Sequence, residues 1–331
     1  MVDEQADRSV GELSEGEILR RILDRLGDSD ALVGPGDDAA VLAAADRRVV
    51  ATVDTLVHGP DFRLAWSTGF DLGYKAAAVN LADIAAMGAT PTALLVALAM
   101  PDSTRMSFVT ALADGLRAAC DELAPGCAVE GGDLTVSDTL TVAVTALGAL
   151  AGRAPVLRSG ARAGDVVAVA GSLGRAGRGL RVLFERFTDA EGRPSPIDER
   201  LLTPEERDDL AAQLRPAPPV ALGPVAADSG ATAMMDVSDG LVLDASRLAE
   251  ASGVTLSIES ASLGADPASA LTGGEDHALL ATFPSEQALP QGFRRIGSVH
   301  RRGEHGVLVD GRPHAGRPGW DPYRDWDERT G

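Results

Sequence analysis

Six aspartates constrain what this chain can fold into. Asp38, Asp54, Asp83, Asp133, Asp236 and Asp239 fall at the ends of strand-like runs or inside apolar segments. Carboxylates are rarely buried unless a base pairs with them or a metal binds them. The chain has a single lysine, Lys75, to offer. Several acids converging without matching bases imply divalent cations, and oxygen-only ligands favour Mg²⁺. Glycines beside the acids, at Gly36, Gly131, Gly132, Gly240 and Gly274, let backbone amides approach phosphate oxygens.

Each motif taken singly has a plainer reading. A lone Gly-Asp-Asp is more often a solvated turn than a ligand. Asp54 can be a satisfied strand-end acid. Asn80 and Asp83 share a helix face and can bond each other and nearby backbone. Gly131-Gly132-Asp133 is a common turn, and Ser238 with Asp239 can cap the next helix. The five histidines, 58, 277, 300, 305 and 314, show no ligand spacing and read as surface or structural. The functional reading rests on the acids as a set and on their order.

Charge and composition narrow the classes. The chain carries 30 basic and 49 acidic residues, a net charge of -19, so no basic face is available for nucleic acid. An anionic small substrate would need local arginines, helix N-termini or metal ions. Lys75 lies in Gly73-Tyr74-Lys75-Ala76, which excludes a Walker A loop. No apolar run approaches the ~18 residues of a membrane span. The polar, acidic start over 1–7 and the two cysteines, Cys120 and Cys127, fit a cytoplasmic protein without a disulfide framework. At roughly 150 residues per domain, 331 residues suggest two domains.

Hydrophobic periodicity predicts helices over 14–27, 71–87 and 105–123, and strands over 49–53, 92–100, 128–130 and 140–150. The pattern is α+β, a meander of strands with helices on one side. A second unit begins near 154. It has strands over 165–170, 232–237, 254–258 and 278–283, and a helix from 240 to 252. The glycines of 171–177 open a helix close to another backbone. The proline-rich stretch 189–224 is either a surface excursion or helices between proline stops. Asp310-Gly311 predicts a hairpin.

Read in order, these segments resemble the thiamine-monophosphate kinase family, of the superfamily that includes aminoimidazole ribonucleotide synthetase and selenophosphate synthetase. The matching pieces begin with Gly34-Pro35-Gly36-Asp37-Asp38-Ala39-Ala40, Val53-Asp54-Thr55-Leu56-Val57, and 71–76 with 79–89. They continue with Glu130-Gly131-Gly132-Asp133, Arg158-Ser159-Gly160-Ala161, Asp236-Val237-Ser238-Asp239-Gly240-Leu241, Ser252-Gly253, Gly273-Gly274-Glu275-Asp276 and Gly319-Trp320-Asp321. The resemblance covers about 11–321.

It implies a two-domain α/β fold: an N-terminal domain over 1–152, forming a dimer-spanning β-barrel with a second copy, and a C-terminal α/β domain over 153–331. It implies transfer of the ATP γ-phosphoryl to thiamine monophosphate, with ATP as co-substrate, several Mg²⁺ ions and room for K⁺. By the same resemblance the metal positions are Asp38, Thr52, Asp54, Asp83, Asp133, Asp236 and Asp239. Gly132, Asp133, Arg158 and Ser238 match positions that touch ATP, and Glu275 and Trp320 match positions near thiamine. Asp61 replaces a family histidine that meets substrate, Ala82 a serine, and His277-Ala278 a Tyr-Glu pair. These changes cluster on the substrate side, so another acceptor, another superfamily synthetase or a non-catalytic nucleotide-binding scaffold stand as alternatives. No general base is assigned, because a phosphate oxygen is already a nucleophile.

Overall fold

The computed structural model describes residues 7–27, 31–32, 40, 42–285 and 288–321. The first sheet contains β1 (Val50–Val57), β2 (Thr90–Met100), β3 (Ala128–Val136) and β4 (Thr141–Ala149) in the order β1-β4-β2-β3. Helices α1 (Glu15–Leu26), α2 (Gly69–Ala86) and α3 (Met106–Leu123) intervene in sequence. The expected meander is not what forms. β2 and β3 are parallel, with α3 as the crossover that a parallel pair requires.

Sequence reading also ended β3 at Glu130 and made Gly131-Gly132-Asp133 a turn. The strand instead runs through all three residues to Val136. A Cβ on Gly132 would lie 1.9 Å from the Val96 carbonyl oxygen, so glycine here admits a close strand approach.

The second sheet contains β5 (Val166–Ala170), β6 (Ala233–Val237), β7 (Val254–Ile258), β8 (Ala278–Phe283), β9 (Phe293–Arg301), β10 (Val307–Val309) and β11 (Arg312–Pro313). Their order is β11-β10-β7-β9-β5-β8-β6. The helices of this half are α4 (Arg175–Arg186), α5 (Pro204–Leu214), α6 (Leu222–Asp228), α7 (Leu241–Ser252) and α8 (Pro267–Thr272). The stretch 189–224 resolves into helices between proline stops. Thr203 caps α5 through a capping box with Glu206, and Pro204 opens it. β9 escaped the sequence reading because a register shift opposite β5 breaks its alternation.

Helix α2 positions the site. Thr68 and Asp71 form its capping box. Its long apolar run is buried nearly all round, as for a helix inside a core. It crosses α3 so closely that a Cβ on Gly73 would stand 2.0 Å from the Leu112 carbonyl oxygen. The core that holds α2 is continuous: Leu81 and Val144 from the first half share it with Met234, Leu279 and Phe283 from the second. Among the described residues no helix is long and apolar enough to cross a membrane.

Candidate active site

The inward edge of the first sheet faces α2. Asn80 ties helix to strand: its Oδ1 accepts from the Asp54 backbone N–H at 3.1 Å, and its Nδ2 donates to the Ala76 carbonyl at 2.9 Å. Thr52 donates its hydroxyl to Asp83 at 2.7 Å. The open question about Asn80 and Asp83 is thereby answered: each bonds outward to β1 rather than to the other.

Asp236, at the C-terminal end of β6, is 4% exposed and lies 3.0 Å from Nδ1 of His277. Burial, then the carboxylates of Asp236 and Asp54, push Asp83 up to about 7. Burial raises Asp54 as well, with Asp236, Glu275 and Asp239 adding to the rise. Asp54, Asp83 and Asp236 therefore form one mutually repelling acidic region.

Among the described residues, no three histidine, cysteine or carboxylate side chains are arranged to hold an ion unaided. Mg²⁺ keeps several waters and binds through one or two carboxylates together with substrate phosphates. The oxygen donors and uncompensated charge fit it.

Other expected ligands have different surroundings. Asp239 is paired with Arg247 at 2.6 Å, and the same guanidinium reaches Asp244 at 2.6 Å. Asp244, fully buried and pushed up to about 6 by burial, accepts from the Asp239 and Gly240 backbone N–H groups. It fixes the turn that presents Ser238 and Asp239.

Gly132 and Asp133 stand on β3, the opposite edge of the first sheet from β1. Asp133 is in the same cross-strand row as Thr55, through Ala97 and Ala143. It therefore projects from the outer face, away from Asp54, and three strand spacings put the two edges about 14 Å apart. Within one chain, Asp133 does not join the inner acids. Arg158 is exposed, and its carbonyl accepts from Ser252 at 2.6 Å. Asp38 lies outside the described residues.

Beside the acids opens a cavity of about 690 Å³. Asp61, Ser238, Glu275 and Trp320, all expected from sequence, line it. Asp61 accepts from the Val57 backbone N–H at 2.7 Å, closing the turn after β1. The Trp320 backbone N–H donates to the Asp239 carbonyl at 2.9 Å, tying the C-terminal segment to the acidic turn.

Sequence reading missed the aromatic wall. The Arg63 guanidinium lies 4.9 Å from the ring centres of both Trp66 and Phe184. Trp66 is anchored by its Nε1, which donates to the Phe187 carbonyl at 3.1 Å. It also missed Lys75, buried in α2 and paired with the Glu275 carboxylate. Its solitary status in the composition was the available signal. His277, expected as surface or structural, is the structural kind: it is 6% exposed and touches Asp236. Its backbone, like that of Glu275, is left-handed, at φ 52° and 73°. The 273–277 loop holds strain at the site.

Comparisons with known proteins give the family. Residues 36–150 match the family model "AIR synthase related protein, N-terminal domain". The thiamine-monophosphate kinase of Mycobacterium tuberculosis is 41% identical, covering 97% of this chain and 95% of its own. The crystal structure of thiamine-monophosphate kinase from Stenotrophomonas maltophilia superposes with a TM-score of 0.74 at 34% identity, over 92% of this chain and 98% of that one. The structure of AaThiL complexed with AMPPCP and TMP superposes at 0.73 with 31% identity, over 95% and 98%. The acids at the strand ends, the cleft beside them and 41% identity over nearly the whole length lead to one assignment: this chain belongs to the thiamine-monophosphate kinase family.

Proposed function

We propose that this protein transfers the γ-phosphoryl of ATP to thiamine monophosphate, giving thiamine diphosphate and ADP. One observation carries the reading: the repelling acids Asp54, Asp83 and Asp236 adjoin an aromatic-lined cavity that contains Glu275 and Trp320. Acids placed there have no use for two anionic reactants unless cations intervene. Mg²⁺ held by these acids would supply that neutralisation.

The chain's own residues do the rest. Thr52 and Asn80 hold Asp83 and β1 in fixed relation, and His277 orients Asp236. Trp320 and Phe184, partly exposed in the cavity wall, offer rings to the heteroaromatic part of the acceptor, with Trp66 buried behind them. No side chain needs to remove a proton from the attacking oxygen. Thr52, Asp54, Asp83, Asp236 and Asp239 make up the metal-binding set among the described residues, and the family resemblance adds Asp38 to it. Gly132, Asp133, Arg158 and Ser238 serve ATP.

The division into domains at 152/153 separates the two sheets. The first sheet acts as a homodimer surface, and two such sheets face each other as a barrel. Support comes from its outer face, where Val53 is 60% exposed on β1 and Val49, 57% exposed, precedes it on the same side. Large apolar side chains grouped on an unpaired sheet face are an expected association surface. Packing there puts Asp133 at the seam between copies.

The test is product analysis. Protein incubated with Mg-ATP and thiamine monophosphate should yield thiamine diphosphate one-for-one with ADP, and none in the presence of excess chelator. ADP formed without thiamine diphosphate would reject the acceptor.

A further inference from the structure

The cavity is lined by four cations, Arg63, Lys75, Arg181 and Arg317. Three of them border the aromatic and outer walls. The Arg63 guanidinium lies beside both Trp66 and Phe184, whose rings meet edge-on. Arg181 donates to the Ser269 hydroxyl at 2.8 Å. Arg317 lies 5.8 Å from the Trp320 ring centre.

Lys75 is placed differently. It rises from α2, the helix that also carries Asn80 and Asp83, and its side chain is only 7% exposed. Its ammonium pairs with Glu275, and with the Gln213 amide turned to donate to the Ala176 carbonyl (3.0 Å), the Gln213 oxygen accepts from Lys75 at 3.2 Å. Two residues beyond Glu275, His277 contacts Asp236. Lys75 thus stands between the aromatic cavity and the acids.

Its partner is arranged asymmetrically. The Glu275 side chain is 40% exposed and opens on the same cavity. Burial alone would raise Glu275, but Lys75 and then His277 outweigh it and hold the carboxyl below the usual range. Lys75 and Glu275 stand side by side as an ion pair, with one face of the carboxylate open to a ligand.

We propose that Lys75 and Glu275 form an exchangeable ion pair that selects a zwitterionic acceptor, Lys75 receiving its phosphate and Glu275 its thiazolium cation. This rests on the kinase reading above and adds to it a residue and a rule of selection. The physical basis is charge conservation in a poorly solvated place. A buried charge stripped of its partner is strongly unfavourable. A ligand with a phosphate alone would take Lys75 and strand Glu275; a cation alone would do the reverse. A ligand bearing both charges replaces one ion pair with two. The flexible four-carbon stem of lysine permits the turn from carboxylate to phosphate with the helix unmoved. The Gln213 oxygen steadies the ammonium in either state. Neutral thiazole phosphates and unphosphorylated thiamine are each disfavoured by half of the exchange.

The test measures binding and turnover separately. Quenching of tryptophan fluorescence reads the cavity, since Trp66 and Trp320 line it. Dissociation constants for thiamine monophosphate and for thiamine are compared in wild type, Lys75→Gln, Lys75→Arg and Glu275→Gln. A charge-assisted hydrogen bond predicts that Lys75→Gln weakens thiamine monophosphate by about ten- to a hundredfold. Thiamine itself should bind Lys75→Gln as well as or better than wild type, because Glu275 has lost its competitor. Lys75→Arg should recover much of the phosphate preference, and Glu275→Gln should weaken both ligands. The KM for ATP should stay within about threefold in all variants with measurable turnover.

Equal loss of both ligands in Lys75→Gln, or no loss of either, overturns the proposal. Where circular dichroism shows that Lys75→Gln has not folded, the rule is read on wild type alone. The phosphate ester of a neutral thiazole analogue should then bind at least about tenfold more weakly than thiamine monophosphate; equal binding overturns it. Wild type that binds thiamine monophosphate but forms no diphosphate rejects the kinase reading and leaves the binding rule standing. Wild type that binds neither thiamine nor its monophosphate rejects both.

Discussion

Removing the charge of Asp83 should stabilise the metal-free protein while abolishing its activity. The carboxyl stands at about 7 in the folded chain against 3.8 as the ordinary value, because burial and the nearby Asp236 and Asp54 charges oppose ionisation. The folded state therefore keeps its proton over an interval in which the unfolded chain has lost it. Its contribution to stability falls as pH rises from about 4 to about 7, then stays at its lower level. A difference of about three pH units at about 1.4 kcal/mol each sets the loss at about 4 kcal/mol above pH 8.

Asp83→Asn abolishes that titration and still accepts the Thr52 hydroxyl through its amide oxygen. In chelator-treated protein at pH 8 the variant should be more stable by about 2–4 kcal/mol, the lower bound allowing for solvent in the cleft. At pH 5 the advantage should shrink to less than about 2 kcal/mol, since wild type is then largely protonated at this site. Thermal unfolding at fixed protein concentration across pH 5–8.5 measures both. Added Mg²⁺ should raise the melting temperature of wild type at pH 8 and leave the variant nearly unmoved. An Asp83→Asn protein that melts at or below wild type at pH 8 without metal would refute the reasoning, because Asp83 would then be a compensated charge.

Two further outcomes test other parts of the structure. Val53→Asp places a charge on the outer face of the first sheet at its β1 edge, so light scattering should show a dimer for wild type and a folded monomer for the variant; an unchanged dimer would move the interface elsewhere. Gly132→Ala drives a methyl against the Val96 carbonyl, 1.9 Å away, and should lower stability by about 1–3 kcal/mol or more in thermal unfolding without ligands; an unshifted melting temperature would mean that β3 yields easily.

Much of this protein was legible from its residues in order. The apolar period of 3.6 placed α2 and α3 within two residues of their ends, and the apolar runs placed β2, β4 and β8. These elements are long or uniformly buried, so local pattern and tertiary environment agree. The acids were legible because ionised groups in apolar segments demand an explanation. β3 and β9 were not, since a close strand approach at Gly132 and a register shift opposite β5 disturb the local signal. The aromatic wall was hidden for another reason: Trp66 and Phe184 lie far apart in the chain and meet only when α4 packs beside the segment before α2.

Sequence alone determined which groups this protein has to work with: an excess of acid, one lysine, and aspartates in a fixed order. Tertiary structure decided which of them act on one another. It joined Asp54, Asp83 and Asp236 into one region in which burial and neighbouring charge raise the pKa of Asp54 and Asp83, and paired Asp239 with Arg247. It turned Asp133 to the outer face by the parity of a strand register. It set Lys75 against Glu275, 200 positions later, through a left-handed loop. Electrostatic coupling depends on distance and burial, and neither is a property of position along the chain.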